Sequence, residues 1–238
     1  MWLPGLIKIF RWRMKRLSRK GSDPDRQVKV AAAYVRIRPG DPQGWALWGA
    51  QLTRYGRYEE AENVLRRGLD RHPRSDPDIG WVLARALSNQ SRFAEARQLL
   101  LEQAEIFPDN RLPFLGLAEV ALRERRFEEA MSFAEKALER TSSIDLTGKY
   151  EAAVLLAPIP ASRARAVSLF REVVGVAKGL PNESLPNLML GELLELDGDP
   201  EASTYLERAR ATWNGPLDFE ETLRGDRELF RNLDREDM

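Results

Sequence analysis

The amino-acid sequence predicts an all-α solenoid of about five helical hairpins with terminal capping helices. Three observations carry this. A short aromatic–acid–alanine motif recurs as Tyr58-Glu59-Glu60-Ala61, Phe93-Ala94-Glu95-Ala96 and Phe127-Glu128-Glu129-Ala130, which puts Ala61, Ala96 and Ala130 35 and 34 residues apart. Looser copies follow at Ala166 and Ala202, each 36 residues further on. A fixed period of this size is the mark of stacked supersecondary units. The apolar residues flanking each motif keep helical spacing. Val, Ile and Thr are sparse and never alternate over the length of a strand.

The elements follow in order. Pro4 suits the first position of a helix. Leu6, Ile7, Phe10, Met14 and Leu17 then fall within an arc of about 100°, free of charge, on a helix of 3.6 residues per turn. Lys8, Arg11, Arg13, Lys15, Arg16, Arg19 and Lys20 fan over the rest, with Trp12 and Ile9 as apolar exceptions. Residues 23–40 read as a half repeat, a lone second helix from Gln27 to Ile37 closed by Pro39.

The first full unit places Trp45, Trp48, Gly49 and Leu52 on one helix. It turns at Tyr55-Gly56-Arg57, then places Tyr58, Ala61, Leu65, Gly68 and Leu69 on a second helix that Pro73 ends. Small residues at 49, 61 and 68 let two helices approach closely, and proline cannot continue a helix. Leu83-Ala84, Leu87, Phe93, Ala96, Leu100 and Pro108 repeat the pattern. Phe114, Leu117-Ala118, Phe127, Ala130, Ala134 and Ala137 repeat it again, with Thr141-Ser142 near the place of the closing proline. Unit four has Tyr150, Ala153-Val154, Ala166 and Phe170, but Pro158-Ile159-Pro160 replaces its polar turn. Unit five, with Leu190-Gly191, Leu194, Gly198-Asp199-Pro200, Leu206 and Ala209, is one residue short between turn and helix. Residues 214–238 read as a polar capping helix with Leu217, Leu223, Phe230 and Leu233 as its stripe.

These residues resemble the tetratricopeptide repeat. Its pattern is an aromatic and Leu-Gly in the first helix, a small residue and an aromatic in the second, and a closing proline. The resemblance spans residues 41–213. It is closest over 42–140 and degenerate over 141–213. It implies a right-handed stack whose first helices line a concave groove that accepts a peptide or a partner helix. By phase within the repeat, Ala46, Ala50 and Arg54 face inward from unit one, Trp81, Arg85 and Asn89 from unit two, and Leu115, Glu119 and Arg123 from unit three. Trp81 and Leu115 are expected as apolar anchors, the three arginines as readers of carboxylates, and Asn89 as a grip on an extended backbone. Trp81 also has a second reading, as a wedge between units, because Gly80 occupies the usual aromatic slot beside it. Repeat domains of this family that clamp chaperone C-termini use Lys, Asn and Arg at positions that here hold Ala46, Ala50, Arg85, Leu115 and Glu119, so that clamp is not expected.

The formal net charge is zero, yet residues 1–22 hold seven basic residues and no acid. The remaining 216 residues hold 30 basic against 37 acidic side chains. The chain has no cysteine and a single histidine, His72, which excludes disulfides, thiolate nucleophiles and the usual histidine triads. No phosphate loop, dinucleotide fingerprint, HExxH pair or calcium loop is present. The paired acids Glu59-Glu60 and Glu128-Glu129 sit at helix starts, where the helix dipole favours them. No catalytic residue, cofactor or metal is therefore expected.

The expected function is a non-enzymatic protein–protein scaffold or adaptor, cytoplasmic, with a protein partner in the groove. For the leader three readings stand. It is a peripheral membrane anchor on an anionic surface, a helix that caps the solenoid, or a targeting peptide. In the second case the chain is a soluble accessory subunit of a larger complex. Nucleic acid is not expected as a partner, because the basic cluster is short and the body acidic.

Overall fold

The computed structural model describes residues 24–74, 76–177 and 183–213. They are all-α, as the sequence predicts. The helices are α1 (Pro24–Ile37), α2 (Pro42–Arg54), α3 (Tyr58–Arg71), α4 (Pro77–Asn89), α5 (Phe93–Ile106), α6 (Leu112–Arg123), α7 (Phe127–Glu139), α8 (Leu146–Leu156), α9 (Arg163–Ala177), α10 (Ser184–Leu196) and α11 (Ala202–Ala211). A 3-10 turn, Pro160–Ser162, precedes α9. The chain divides into two units, Met1–Val120 and Ala121–Met238, with the division inside α6. The leader residues, including the apolar stripe from Leu6 to Leu17, and the expected cap at 214–238 lie outside the described residues.

In the first unit, α1 stands where the sequence places a lone second helix and packs on α2. The hairpins α2–α3 and α4–α5 follow, and the two first helices, α2 and α4, lie side by side. First helices start on polar caps. Asp41 accepts the Gln43 N–H at 3.1 Å and Asp76 the Asp78 N–H at 2.9 Å, each followed by a proline whose missing N–H costs nothing there. Asn110 does the same for the Leu112 N–H.

The hairpin turns share one construction. A residue with positive φ (Gly56 at 73°, Ser91 at 59°, Arg125 at 59°, Gly198 at 70°) ends the first helix. The next residue's N–H then reaches the carbonyl five residues back: Arg57 to Leu52 (2.9 Å), Arg92 to Leu87 (3.0 Å), Arg126 to Ala121 (2.8 Å) and Asp199 to Leu194 (2.8 Å). This closure satisfies carbonyls that a helix end otherwise leaves bare.

Close approach of helices holds each hairpin. A Cβ on Gly49 would lie 2.4 Å from the Leu65 side chain, and one on Gly191 2.7 Å from Leu206. At the next contact the first two hairpins invert the large and small partners. In the first, Trp45 from α2 covers Gly68 of α3, where a Cβ would come within 2.9 Å. In the second, Gln103 of α5 lies over Gly80 of α4 at 2.6 Å from such a Cβ. The aromatic missing at position 80 is thus replaced from the opposite helix, and Gln103 is buried at 4% exposure.

Charged pairs tie the second helices. Each of Arg57, Arg92 and Arg126, just before its helix, holds the carboxylate three residues on: Arg57 takes Glu60 (2.7 Å) and Arg92 takes Glu95 (2.6 Å) with two nitrogens, and Arg126 takes Glu129 with one. The first two also reach the preceding second helix, Arg57 to Asp25 (3.2 Å) and Arg92 to Glu62 (2.6 Å). In the second unit Arg165–Glu135 (3.1 Å) and Arg171–Glu201 (3.0 Å) span the same 30-residue interval. Each exposed pair contributes little alone, so the ladder aligns helices more than it stabilises them.

The second unit holds the degenerate repeats. Its α8 packs on α7 and α9, and α10 on α9 and α11. Tyr150 meets Phe170 edge-on at 5.8 Å. The proline-rich turn is ordered from inside. Ile159 is buried against Ala121 and Ala130, and the Ser162 hydroxyl donates to the Leu156 carbonyl at 2.8 Å, capping α8. The missing residue of unit five is absorbed in a tight first turn. The Ala202 N–H bonds the Asp199 carbonyl at 3.1 Å, and the Asp199 carboxylate accepts from the Glu201 N–H at 2.8 Å.

Two measurements test this architecture. Gly49→Ala gains helix propensity but places a Cβ against Leu65, so a net loss of about 1–2 kcal/mol is expected in urea unfolding. Gly175→Ala, with open space around its Cβ, should gain about 0.5–1 kcal/mol. In an acid titration of stability, the carboxyls of Glu60 and Glu95 are held below the ordinary glutamate value by hydrogen bonds from Arg57 and Arg92. Burial raises Glu62, but hydrogen bonds from Arg92, Arg66 and Gln90 outweigh it and keep it low. A lowered folded-state pKa gives stability that is present above the unfolded value, about 4.3. That stability is lost as pH falls through the folded value. Arg92→Gln should therefore flatten the acid limb of the stability profile.

Candidate partner-binding face

The inward positions of α2, α4 and α6 form the candidate site, and α4 carries most of its chemistry. Asp78, Trp81, Arg85 and Asn89 fall at i, i+3, i+7 and i+11, one row along the helix. Asp78 was not among the expected residues, although its spacing from Trp81 was legible. It is half-buried, and its carboxyl is raised by burial first and by Asp76 second, with Arg111 opposing.

Trp81 is half-buried, and the wedge reading describes its position. The C-terminal part of its row is open, but its indole Cδ1 lies 3.2 Å from where a Gly116 Cβ would stand, so the ring is wedged between α4 and α6. The Arg85 guanidinium lies over the ring at 5.2 Å, a cation–π contact of about 0.5–1 kcal/mol at such exposure. The indole Nε1 is buried without a hydrogen-bond partner among the described residues.

Arg85 is not an unopposed cation. Its Nε points at a Glu119 carboxylate oxygen at 3.4 Å, with the two side chains 44% and 19% exposed. That contact is long and uses only one edge of the guanidinium. The terminal nitrogens of Arg85 have no hydrogen-bond partner among the described residues. Glu119 thus presents to Arg85 the group that an acidic ligand would bring.

Three other expected residues depart from their roles. Leu115 is 2% exposed and belongs to the core, because α6 packs its apolar side inward at that turn; it is not a groove anchor. Ala46 is likewise buried at 6%. The Asn89 amide donates to the Arg85 carbonyl at 2.9 Å, so its helix already engages the group expected to grip a peptide. Arg54 is exposed and forms no ion pair among the described residues. Ala50 beside it is half-buried. Arg123 is exposed in the last turn of α6 and belongs to the second unit. The described site is therefore Trp81 and Arg85 with Glu119, flanked on their own helices by Asp78 and Asn89.

No helix among the described residues is long and apolar enough to cross a membrane.

Comparison with known proteins supplies the family context. Residues 52–112 and 83–143 match two profiles, each described as tetratricopeptide repeat. No curated protein sequence matches. Among solved structures, yeast Tom70 superposes with a TM-score of 0.66 at 16% identity, covering 95% of this chain and 47% of that one. This chain thus spans about half the length of that Tom70 chain. Pseudomonas aeruginosa PilF gives 0.53 at 19% identity, covering 92% of this chain and 95% of that one. The Cut9–Hcn1 hetero-tetramer of the APC/C gives 0.60 at 14% identity, covering 80% of this chain and 37% of that one. Identities this low speak for the fold alone.

The geometry sets an expectation for stability. Glu119→Gln should shift the urea midpoint by less than about 1 kcal/mol, because the pair is long and solvent-screened. Trp81→Ala, which removes a wedged ring, should cost about 2 kcal/mol. Equal losses from both would show that Glu119 is a structural brace.

Proposed function

This chain is a tetratricopeptide-repeat protein, and from that premise we propose that it is a non-enzymatic scaffold whose concave face binds a protein segment carrying a carboxylate. The observation that supports the reading is the Arg85 guanidinium. It is stacked on Trp81, touched by Glu119 along one edge, and leaves its terminal nitrogens to bond a second carboxylate. A planar fork backed by an aromatic face suits an acidic side chain or a chain terminus. Arg54 adds positive charge on the same layer of first helices.

Binding would exchange one carboxylate for another on Arg85, so little charge is newly buried. Specificity then rests on Trp81 and the neighbouring backbone. The leader, residues 1–22, would hold the scaffold at a membrane surface; its acid-free basic composition with Trp and Phe supports that reading. The alternative is a soluble subunit of a larger assembly.

Quantitative affinity capture from the native cell, with mass-spectrometric identification, tests the face. Arg85→Glu combined with Trp81→Ala should lose the main partner by at least tenfold. Glu119→Gln should raise recovery several-fold, since the internal competitor for Arg85 is gone. Full retention by the double variant would place the partner site elsewhere.

A further inference from the structure

Beyond the first hairpin, Arg85, Arg92, Arg126, Arg140, Arg165 and Arg171 each have a carboxylate partner. The arginines of the loop edge of the first hairpin do not. Arg36 and Arg38, at and beyond the end of α1, and Arg67, Arg71 and Arg74, at and beyond the end of α3, form no ion pair among the described residues. By contrast Arg57, Arg66, Arg92, Arg126, Arg165 and Arg171 are all paired.

The two stretches form one surface. The Pro39 carbonyl accepts from the Trp45 Nε1 at 3.0 Å and from the His72 Nε2 at 3.1 Å, which pins the 38–41 loop to the end of α3. Arg67 lies over the Trp45 ring at 5.6 Å. Beside it is a shallow depression of about 350 Å³ lined by Trp45, Arg67, Asp70 and Arg71. A second, of about 390 Å³, is lined by Ile37, Arg38, Gly40, Asp41 and Pro42. Acid on this edge is partly spent: Asp41 accepts from the Tyr34 hydroxyl and the Gln43 N–H, while Asp70 is exposed and opposes the arginines.

Ile37 supplies the second observation. It is 75% exposed, between Arg36 and Arg38. An isolated apolar residue between cations that form no ion pair among the described residues matches an interface of anionic headgroups above acyl chains. The sequence points the same way. Residues 1–74 hold 17 basic against 7 acidic side chains, and residues 75–238 hold 20 against 30. The basic character of the leader therefore continues into the first hairpin and then reverses.

We propose that this edge, Arg36-Ile37-Arg38 with Arg67, Arg71 and Arg74, is a second membrane-contact site that docks the folded domain on an anionic lipid surface. The edge would take lipid phosphates on its arginines and insert Ile37. The choice of lipid as occupant rests in part on the membrane reading of residues 1–22. The test separates the two.

Flotation of the full-length protein with phosphatidylcholine vesicles containing phosphatidylglycerol provides it. Arg71→Glu with Arg74→Glu is expected to lower the partition coefficient by about tenfold. Ile37→Asp should lower it several-fold. Lys136→Glu with Arg208→Glu makes the same change of net charge at exposed cations elsewhere, and should have a much smaller effect. A leader variant with Lys8, Arg11 and Lys15 changed to Gln reports on residues 1–22 alone. If it binds like wild type while the edge variant does not, the edge stands and the leader reading falls. Equal binding by the edge variant and the charge-matched control overturns the proposal. So does an edge variant that keeps vesicle binding but loses retention on an acidic polypeptide or on nucleic acid.

Discussion

The spacing between paired helices is the constraint on which the rest of this structure depends. Gly49 against Leu65, Gly68 under Trp45, Gly80 under Gln103, Gly116 beside Leu100, and Gly191 against Leu206 are all places where a Cβ would come closer than 3 Å to its neighbour. Helices that close bury their shared face almost completely. Ala61, Leu65, Ala96, Leu100 and Ala118 are 0% exposed, as a close-packed interior requires. On α4 the row left over carries the half-buried Trp81 and the exposed Arg85. Gly116 shows the link directly: the small residue that admits Leu100 also seats the Trp81 ring.

Charge is distributed by the same geometry. Long side chains bridge successive second helices, so an arginine at the start of one reaches an acid of the previous one about 30 residues earlier. Arg57–Asp25, Arg92–Glu62 and Arg165–Glu135 follow that interval. Arg36, Arg38, Arg67, Arg71 and Arg74 form no such pair among the described residues. The unpaired arginines at the loop edge of the first hairpin are therefore residues that the repeat does not use, and Arg85, tied by one long contact, is only partly used.

Much of the fold was legible in the sequence because the repeat states each hairpin more than once. The alanine anchors, the Gly56 turn and the closing prolines each have a local physical reason. What was not legible required knowing which helix faces which. Gly80 reads as a gap in the aromatic pattern, and only the packing shows Gln103 reaching across to fill it. Leu115 holds an inward phase in the repeat but is core, since a phase assigns a direction and not a depth. Asn89 sits in the expected row, yet its amide bonds its own helix. The Arg85–Glu119 contact joins side chains 34 positions apart, each of which the sequence placed in the groove without pairing them.

The central claim is that partners engage the row carrying Trp81 and Arg85 rather than the outer surface of the second helices. Site-specific photo-crosslinking tests it most directly. A photoreactive side chain is placed at Asn89, beside that row, or at the exposed Leu101 on α5, and crosslinked products are identified from the native cell. Crosslinks to a common protein partner should arise at Asn89 and be absent at Leu101. Crosslinks confined to Leu101, with none at Asn89, would contradict it.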